Sequence, residues 1–141
     1  MSVVLDASVI IALVVRDERQ PAVRELLERW IGGGEGLHAP AVLPYEVADV
    51  LARRVYDGDL TADEVTDIWS DVTHLGVEFH PFDPPVDGPA VARITATLRR
   101  RHATDSSYVW LAQQLRTQVW TLDAALVRNA ADVGLPVELI S

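Results

Sequence analysis

The 141-residue chain contains no cysteine and no lysine. Without cysteine there is no disulfide framework, no zinc–thiolate site and no cysteine nucleophile. Without lysine, Schiff-base chemistry and the lysine-bearing phosphate loop are excluded, since all 12 basic residues are arginine. Surplus positive charge is also missing: the formal net charge is −9, whereas nucleic-acid binders usually carry a basic excess. A long hydrophobic run is absent too. The most apolar stretch, residues 3–15, is too short to span a bilayer, has no basic leader and contains a carboxylate. A membrane helix and a signal peptide are therefore not expected, and a cytoplasmic location is.

What the chain does have is the composition of a folded protein, 49% hydrophobic, at a length suited to one domain over residues 1–141. Short apolar runs alternate with longer amphipathic ones. Strands are expected at 3–6, 37–39, 77–80, 118–122 and 137–140. Helices are expected at 8–15, 20–30, 42–56, from Thr61 to about His74, at 89–101, 105–116 and 124–131. Thr61 and Glu64 form a capping-box signature, and Gly32-Gly33-Gly34 stops the second helix. Pro81-Phe82-Asp83-Pro84-Pro85 reads as a rigid loop. Strands separated by helices imply a parallel α/β sheet covered on both faces.

The only charged residue in the run 3–15 is Asp6, at the junction of a buried strand and a buried helix. An ionised carboxylate there needs hydrogen bonds, a partner charge or a metal. A helix N-cap is the plain alternative. Asp123 repeats the arrangement after Val119-Trp120-Thr121-Leu122, which places two carboxylates at the same edge of a parallel sheet, where ligands bind. Glu46 sits in an apolar helix with Val42, Leu43 and Val50 at helical spacing, so burial is expected; Asp49 is the ordinary exposed case, with Arg53 placed to pair with it. Asp105 follows Arg99-Arg100-Arg101-His102 and precedes the inward face Tyr108, Leu111, Ala112 and Leu115. It too reads as either a cap or a site acid.

Four converging carboxylates repel one another unless cations are present, and hard cations such as Mg2+ prefer oxygen ligands. The four histidines, His38, His74, His80 and His102, show no paired ligand spacing, which argues against zinc. An acid-only cluster with Mg2+ or Mn2+ suits phosphodiester hydrolysis. A dehalogenase-type phosphatase needs a second Asp where Ser8 stands, and it and a receiver domain both call on a lysine that the chain lacks.

At this point the residues resemble those of PIN-domain ribonucleases, most closely the VapC toxins of toxin–antitoxin pairs. Val4-Leu5-Asp6-Ala7-Ser8 is similar to the opening motif, Pro44-Tyr45-Glu46-Val47 with Leu51 to the second, Asp105-Ser106-Ser107-Tyr108 with Leu111-Ala112 to the third, and Thr121-Leu122-Asp123-Ala124-Ala125-Leu126 to the fourth. The resemblance spans nearly the whole chain. It implies a three-layer α/β/α sandwich with a five-stranded parallel sheet and a metal-dependent endoribonuclease. Asp6, Glu46, Asp105 and Asp123 would be the catalytic, metal-binding acids, with Mg2+ or Mn2+ as cofactor, and Ser8 and Thr121 would orient them.

The resemblance further implies a homodimer, an RNA substrate and a VapB-type antitoxin whose tail covers the site. The site acids account for four of the nine excess negative charges. Arg99, Arg100, Arg101 and His102 are candidate phosphate contacts, or a basic helix end complementing its dipole. Asn129 and Asp132 are further polar candidates. Ser106, Ser107 and Trp110 depart from the small residues common at these positions, with access to the groove as the expected effect. A catalytically silent binding module of the same fold is the alternative function.

Overall fold

Val3, Val4 and Leu5 are all buried, so the first strand is covered on both faces and shows no inside–outside alternation. A computed structural model describes residues 1–100 and 102–141. The described residues form five strands, β1 (Ser2–Leu5), β2 (Gly36–Pro40), β3 (Glu78–His80), β4 (Val119–Thr121) and β5 (Val137–Leu139). Seven helices join them: α1 (Ala7–Val14), α2 (Gln20–Gly32), α3 (Val42–Tyr56), α4 (Ala62–His74), α5 (Pro84–Leu98), α6 (Thr104–Leu115) and α7 (Ala124–Asp132).

All strand pairs are parallel, in the order β3-β2-β1-β4-β5. The chain moves outward from β1 to β2 and β3, then returns to β4 and continues the other way to β5. With right-handed crossovers, α1–α4 cover one face and α5–α7 the other. The reversal falls between β1 and β4, the place where open α/β sheets form a crevice at the strands' carboxyl ends. This is the α/β/α sandwich with a five-stranded parallel sheet expected above. Its core joins Leu5, Ile10, Val23, Leu43, Val47 and Leu51 to Tyr108, Val109 and Leu126. Trp30 of α2 packs edge-on against Trp120 of β4, with ring centroids 5.3 Å apart.

Most elements lie within a residue or two of the expected bounds. The Thr61–Glu64 capping box is present, with Glu64 N donating to Thr61 Oγ1 and Thr61 N to Glu64 Oε1. The exception is α5. Its first turn occupies Pro84 and Pro85, part of the expected loop, and it ends at Leu98 rather than Arg101. Proline lacks an N–H that a first turn leaves unpaired anyway, and its fixed φ suits that position. The Asp87 carboxylate reaches back to the Asp83 amide at 2.7 Å and closes the turn. Pro89 lies inside this helix on an exposed face, where water can satisfy the carbonyl it leaves unpaired. Arg99 adopts the left-handed conformation, φ 56°, and terminates α5.

Candidate active site

Asp6 occupies the N-cap position of α1, yet its side chain accepts no capping bond from the helix. Its Oδ2 instead accepts the hydroxyl protons of Ser8, at 2.7 Å, and Thr121, at 2.8 Å. Each hydroxyl also accepts a backbone amide, Ser8 Oγ from Leu122 and Thr121 Oγ1 from Asp123. The result is a polar stitch across the β1–β4 seam that fixes one oxygen of a carboxylate only 7% exposed. The cap reading of Asp6 is therefore overturned. Asp123 does cap, its Oδ1 accepting from the amides of Ala125 and Leu126. Its other oxygen, Oδ2, faces Arg100 at 3.8 Å.

Glu46 stands on α3, four residues into the helix from Val42, and approaches from the opposite side of the seam to α6. Tyr108 donates to Glu46 Oε1 at 2.6 Å. Burial pushes the Glu46 carboxyl above its ordinary pKa, Tyr108 offsets part of this, and the charges of Asp6 and Asp105 raise it further. Asp105 sits in the first turn of α6 and caps nothing; the N-cap there is Ala103. Its pKa is raised first by burial, then by Asp6, with Asp123 adding and Arg100 and His102 opposing. Buried within reach of Glu46, the Tyr108 hydroxyl is held far above its usual range and so stays a donor.

The four acids thus come to one crevice from α3, α6 and the ends of β1 and β4. Among the described residues, no three of them bring carboxylate oxygens within 4.8 Å of one another. Arg100 stands between two of them, with guanidinium nitrogens 3.7 Å from Asp105 and 3.8 Å from Asp123. Its Nε and Nη2 are buried without a hydrogen-bond partner. An acid ring of this width suits a cation that keeps several waters and takes one or two carboxylates directly, as Mg2+ does. Burial is the larger cause of the raised proton affinity of Glu46 and Asp105; the smaller part, repulsion from neighbouring acids, is what a bound cation would offset.

The other expected residues divide. Arg100 turns toward the acids, whereas Arg99 is exposed and lines a separate cleft with Thr97, Asn129, Asp132 and Val133. His102 is exposed close enough to Asp105 to lower its pKa, and Arg101 lies outside the described residues. Ser106 is buried and accepts from Thr95 of α5, and Trp110 Nε1 donates to Asp87, so both tie α5 to α6. Two contributors escaped the sequence reading: Tyr108 as the donor to Glu46, and Arg100 as partner to two acids. The first had a signal, since Tyr108 lies three residues after Asp105 on the same helix face. The apolar cleft lined by Pro40, Val42, His80, Phe82, Val91 and Trp110 contains none of the four acids.

Fold and crevice together define an α/β protein with an acidic site at the reversal of its strand order. The family model for the PIN domain matches residues 3–136, and the chain belongs to that family. It is 29% identical over 134 residues to Ribonuclease VapC3 of Pyrobaculum aerophilum, covering 92% of this chain and 95% of that protein. The crystal structure of PAE2754 from Pyrobaculum aerophilum shares the fold, with a TM-score of 0.67 and 21% identity over 92% of this chain and 79% of that one.

Proposed function

We propose that this protein is a metal-dependent endoribonuclease, the toxin of a toxin–antitoxin pair, acting through Asp6, Glu46, Asp105 and Asp123 as a single domain. The observation that carries the reading is the Asp6 carboxylate. Two hydroxyls hold it off the helix terminus it would otherwise cap, and its charge raises the pKa of Glu46 and Asp105. Such mutual repulsion among a buried acid and partly buried neighbours is costly on its own and useful beside a cation. The family and the relative named a ribonuclease point the same way.

In this reading the acids would hold Mg2+ or Mn2+, which would supply an activated water and offset charge on the attacked phosphate. Ser8 and Thr121 orient Asp6, and Tyr108 orients Glu46 by its short hydrogen bond; fixing such ligands from behind is worth ~10–100-fold in affinity or activity in metal sites generally. Arg100 would exchange its long contacts with Asp105 and Asp123 for a phosphate oxygen of the RNA backbone. A homodimer, a VapB-type antitoxin and a cytoplasmic setting complete the proposal. For the chain itself, no helix among the described residues is long and apolar enough to cross a membrane.

The test is cleavage of total cellular RNA by the purified, antitoxin-free protein with Mn2+, Mg2+ or EDTA, beside Asp6→Asn. Discrete products that require metal and vanish in the variant are expected. The rival reading, a silent binding module, draws support from Arg100, whose guanidinium already lies beside two of the acids. Folded protein that cleaves nothing and binds no Mn2+ in a calorimetric titration would favour it.

A further inference from the structure

The histidine spacing in the chain argues against a zinc site, but the sheet register brings together residues 42 positions apart. In the β2–β3 pair His38 stands opposite Glu78, and Pro40 opposite His80. Alternate residues of a strand share a face, so His38, Glu78 and His80 all project to one side. Their ligand atoms lie within 4.8 Å of one another. His38 Nδ1 is 2.9 Å from His80 Nε2 and 3.5 Å from Glu78 Oε2. The rings are tilted by 46° with centroids 5.1 Å apart, a nitrogen-to-nitrogen meeting rather than a stack.

We propose that His38, Glu78 and His80 form a second metal site, of a different class from the acid crevice, that takes Zn2+. Zinc is four-coordinate with Zn–N of ~2.0–2.1 Å, so two tetrahedral nitrogens stand roughly 3.4 Å apart. The His38–Glu78 separation already meets that figure, and the two imidazoles need part by only about 0.5 Å. Both facing nitrogens must offer lone pairs, so the ring that now donates shifts its N–H to its other nitrogen. Burial holds the His38 pKa below its ordinary value, which keeps that ring neutral and able to ligate. A fourth position is left to water, since Glu78 is largely exposed at the sheet edge.

Two features indicate that the geometry is built in. Gly36 lies two residues before His38 on the same face, and a Cβ there would come within 2.8 Å of His38 Nε2, so a larger residue would push the imidazole from its present place. The carbonyl of His80 accepts the amide of Ala41, the residue that leads into α3. A metal clip between β2 and the short edge strand β3 therefore also braces the start of the helix carrying Glu46. Imidazole ligands select Zn2+ over Mg2+, which prefers oxygen, so the two sites separate by metal.

The experiment is calorimetric titration of the full chain with Zn2+ in an excess of Mg2+, repeated for Asp6→Asn, His80→Gln and Glu78→Gln, with Co2+ absorption as a second readout. One Zn2+ is expected to bind the native protein and Asp6→Asn equally. His80→Gln should weaken it by at least ~10-fold, with loss of the tetrahedral Co2+ bands. Glu78→Gln lies at an exposed position that the fold does not need, so weakening there reports ligation and not unfolding. Unchanged Zn2+ affinity in His80→Gln and Glu78→Gln, or loss of Zn2+ in Asp6→Asn, overturns the proposal. RNA cleavage is not read in this experiment, so its result is independent of the nuclease assignment.

Discussion

Tyr108 and Glu46 show how one hydroxyl sets the state of a site acid. Replacing Tyr108 by Phe removes the donor at 2.6 Å and leaves the Glu46 carboxylate among buried neighbours. Hydrogen bonds to charged groups are worth ~1.5–3 kcal/mol, so the Glu46 pKa should rise further and the acid limb of the cleavage pH profile should move up by one to two pH units, roughly, by the same conversion. An unshifted profile would mean that Glu46 does not titrate in the reaction. Glu46 and Asp105 both have raised pKa values in the fold. For such groups the protonated form favours folding, so stability is greatest below the unfolded-state values and declines as pH rises through the folded ones. In the metal-free protein these two acids should thus favour a higher melting temperature at pH 5 than at pH 7, a gain opposed by His38, whose lowered pKa favours the fold at the higher pH. That gain should shrink in Glu46→Gln, and differential scanning calorimetry of the two proteins checks it.

At the same scale, Asp6→Asn should abolish cleavage while leaving metal-free stability unchanged or higher, since it removes the charge that burdens Glu46 and Asp105. Equal Mn2+-induced stabilisation of native and variant protein would remove Asp6 from the metal site. Asp6 was legible because a lone carboxylate in an apolar run must be explained by something. Arg100 was not legible as an acid partner: its position in a run of basic residues says nothing about which way one guanidinium turns. His38 and His80 were hidden for another reason, because only strand register brings them together.

Among the elements, α5 marks the limit of local reading. Strands and helices with clear periodicity fell near their expected bounds, and the Thr61–Glu64 box fixed the start of α4. The proline cluster at 81–85 reads equally well as a loop or as a helix start, and only packing of α5 on α6 decides between them. That packing is held by Thr95–Ser106 and Trp110–Asp87. Pro89 is exposed and lacks the amide a helix interior uses. Interior proline costs ~3 kcal/mol relative to alanine, offset by about 1 kcal/mol of lost chain entropy in the unfolded state. Pro89→Ala should accordingly stabilise the protein by about 2 kcal/mol in urea unfolding. Destabilisation instead would show that the proline shapes α5 to fit α6.

For the whole molecule, net charge would set the approach of the RNA substrate in the proposed function. With −9 at neutral pH, long-range repulsion opposes RNA at low ionic strength, and the Debye length shortens from ~30 Å at 0.01 M to ~10 Å at 0.1 M. At fixed Mg2+, kcat/KM for RNA cleavage should therefore rise with monovalent salt over this range. A basic nuclease shows the reverse, as counterion release weakens its binding. A steady fall across the same range would show that Arg100 and its neighbours outweigh the global field.

The stitch between Asp6 and Thr121 joins residues 115 apart in the chain. During synthesis, β1 emerges before β4, so its carboxylate has no hydroxyl partner there until 115 further residues have been made. The crevice is therefore assembled late, after the arrival of α6 and β4 together. A chain stalled or truncated before residue 121 carries Asp6 and Glu46 yet no complete set of acids. The order of strands along the polypeptide thus works as a timer, keeping the set of acids incomplete until β4 and the residue after it have been made.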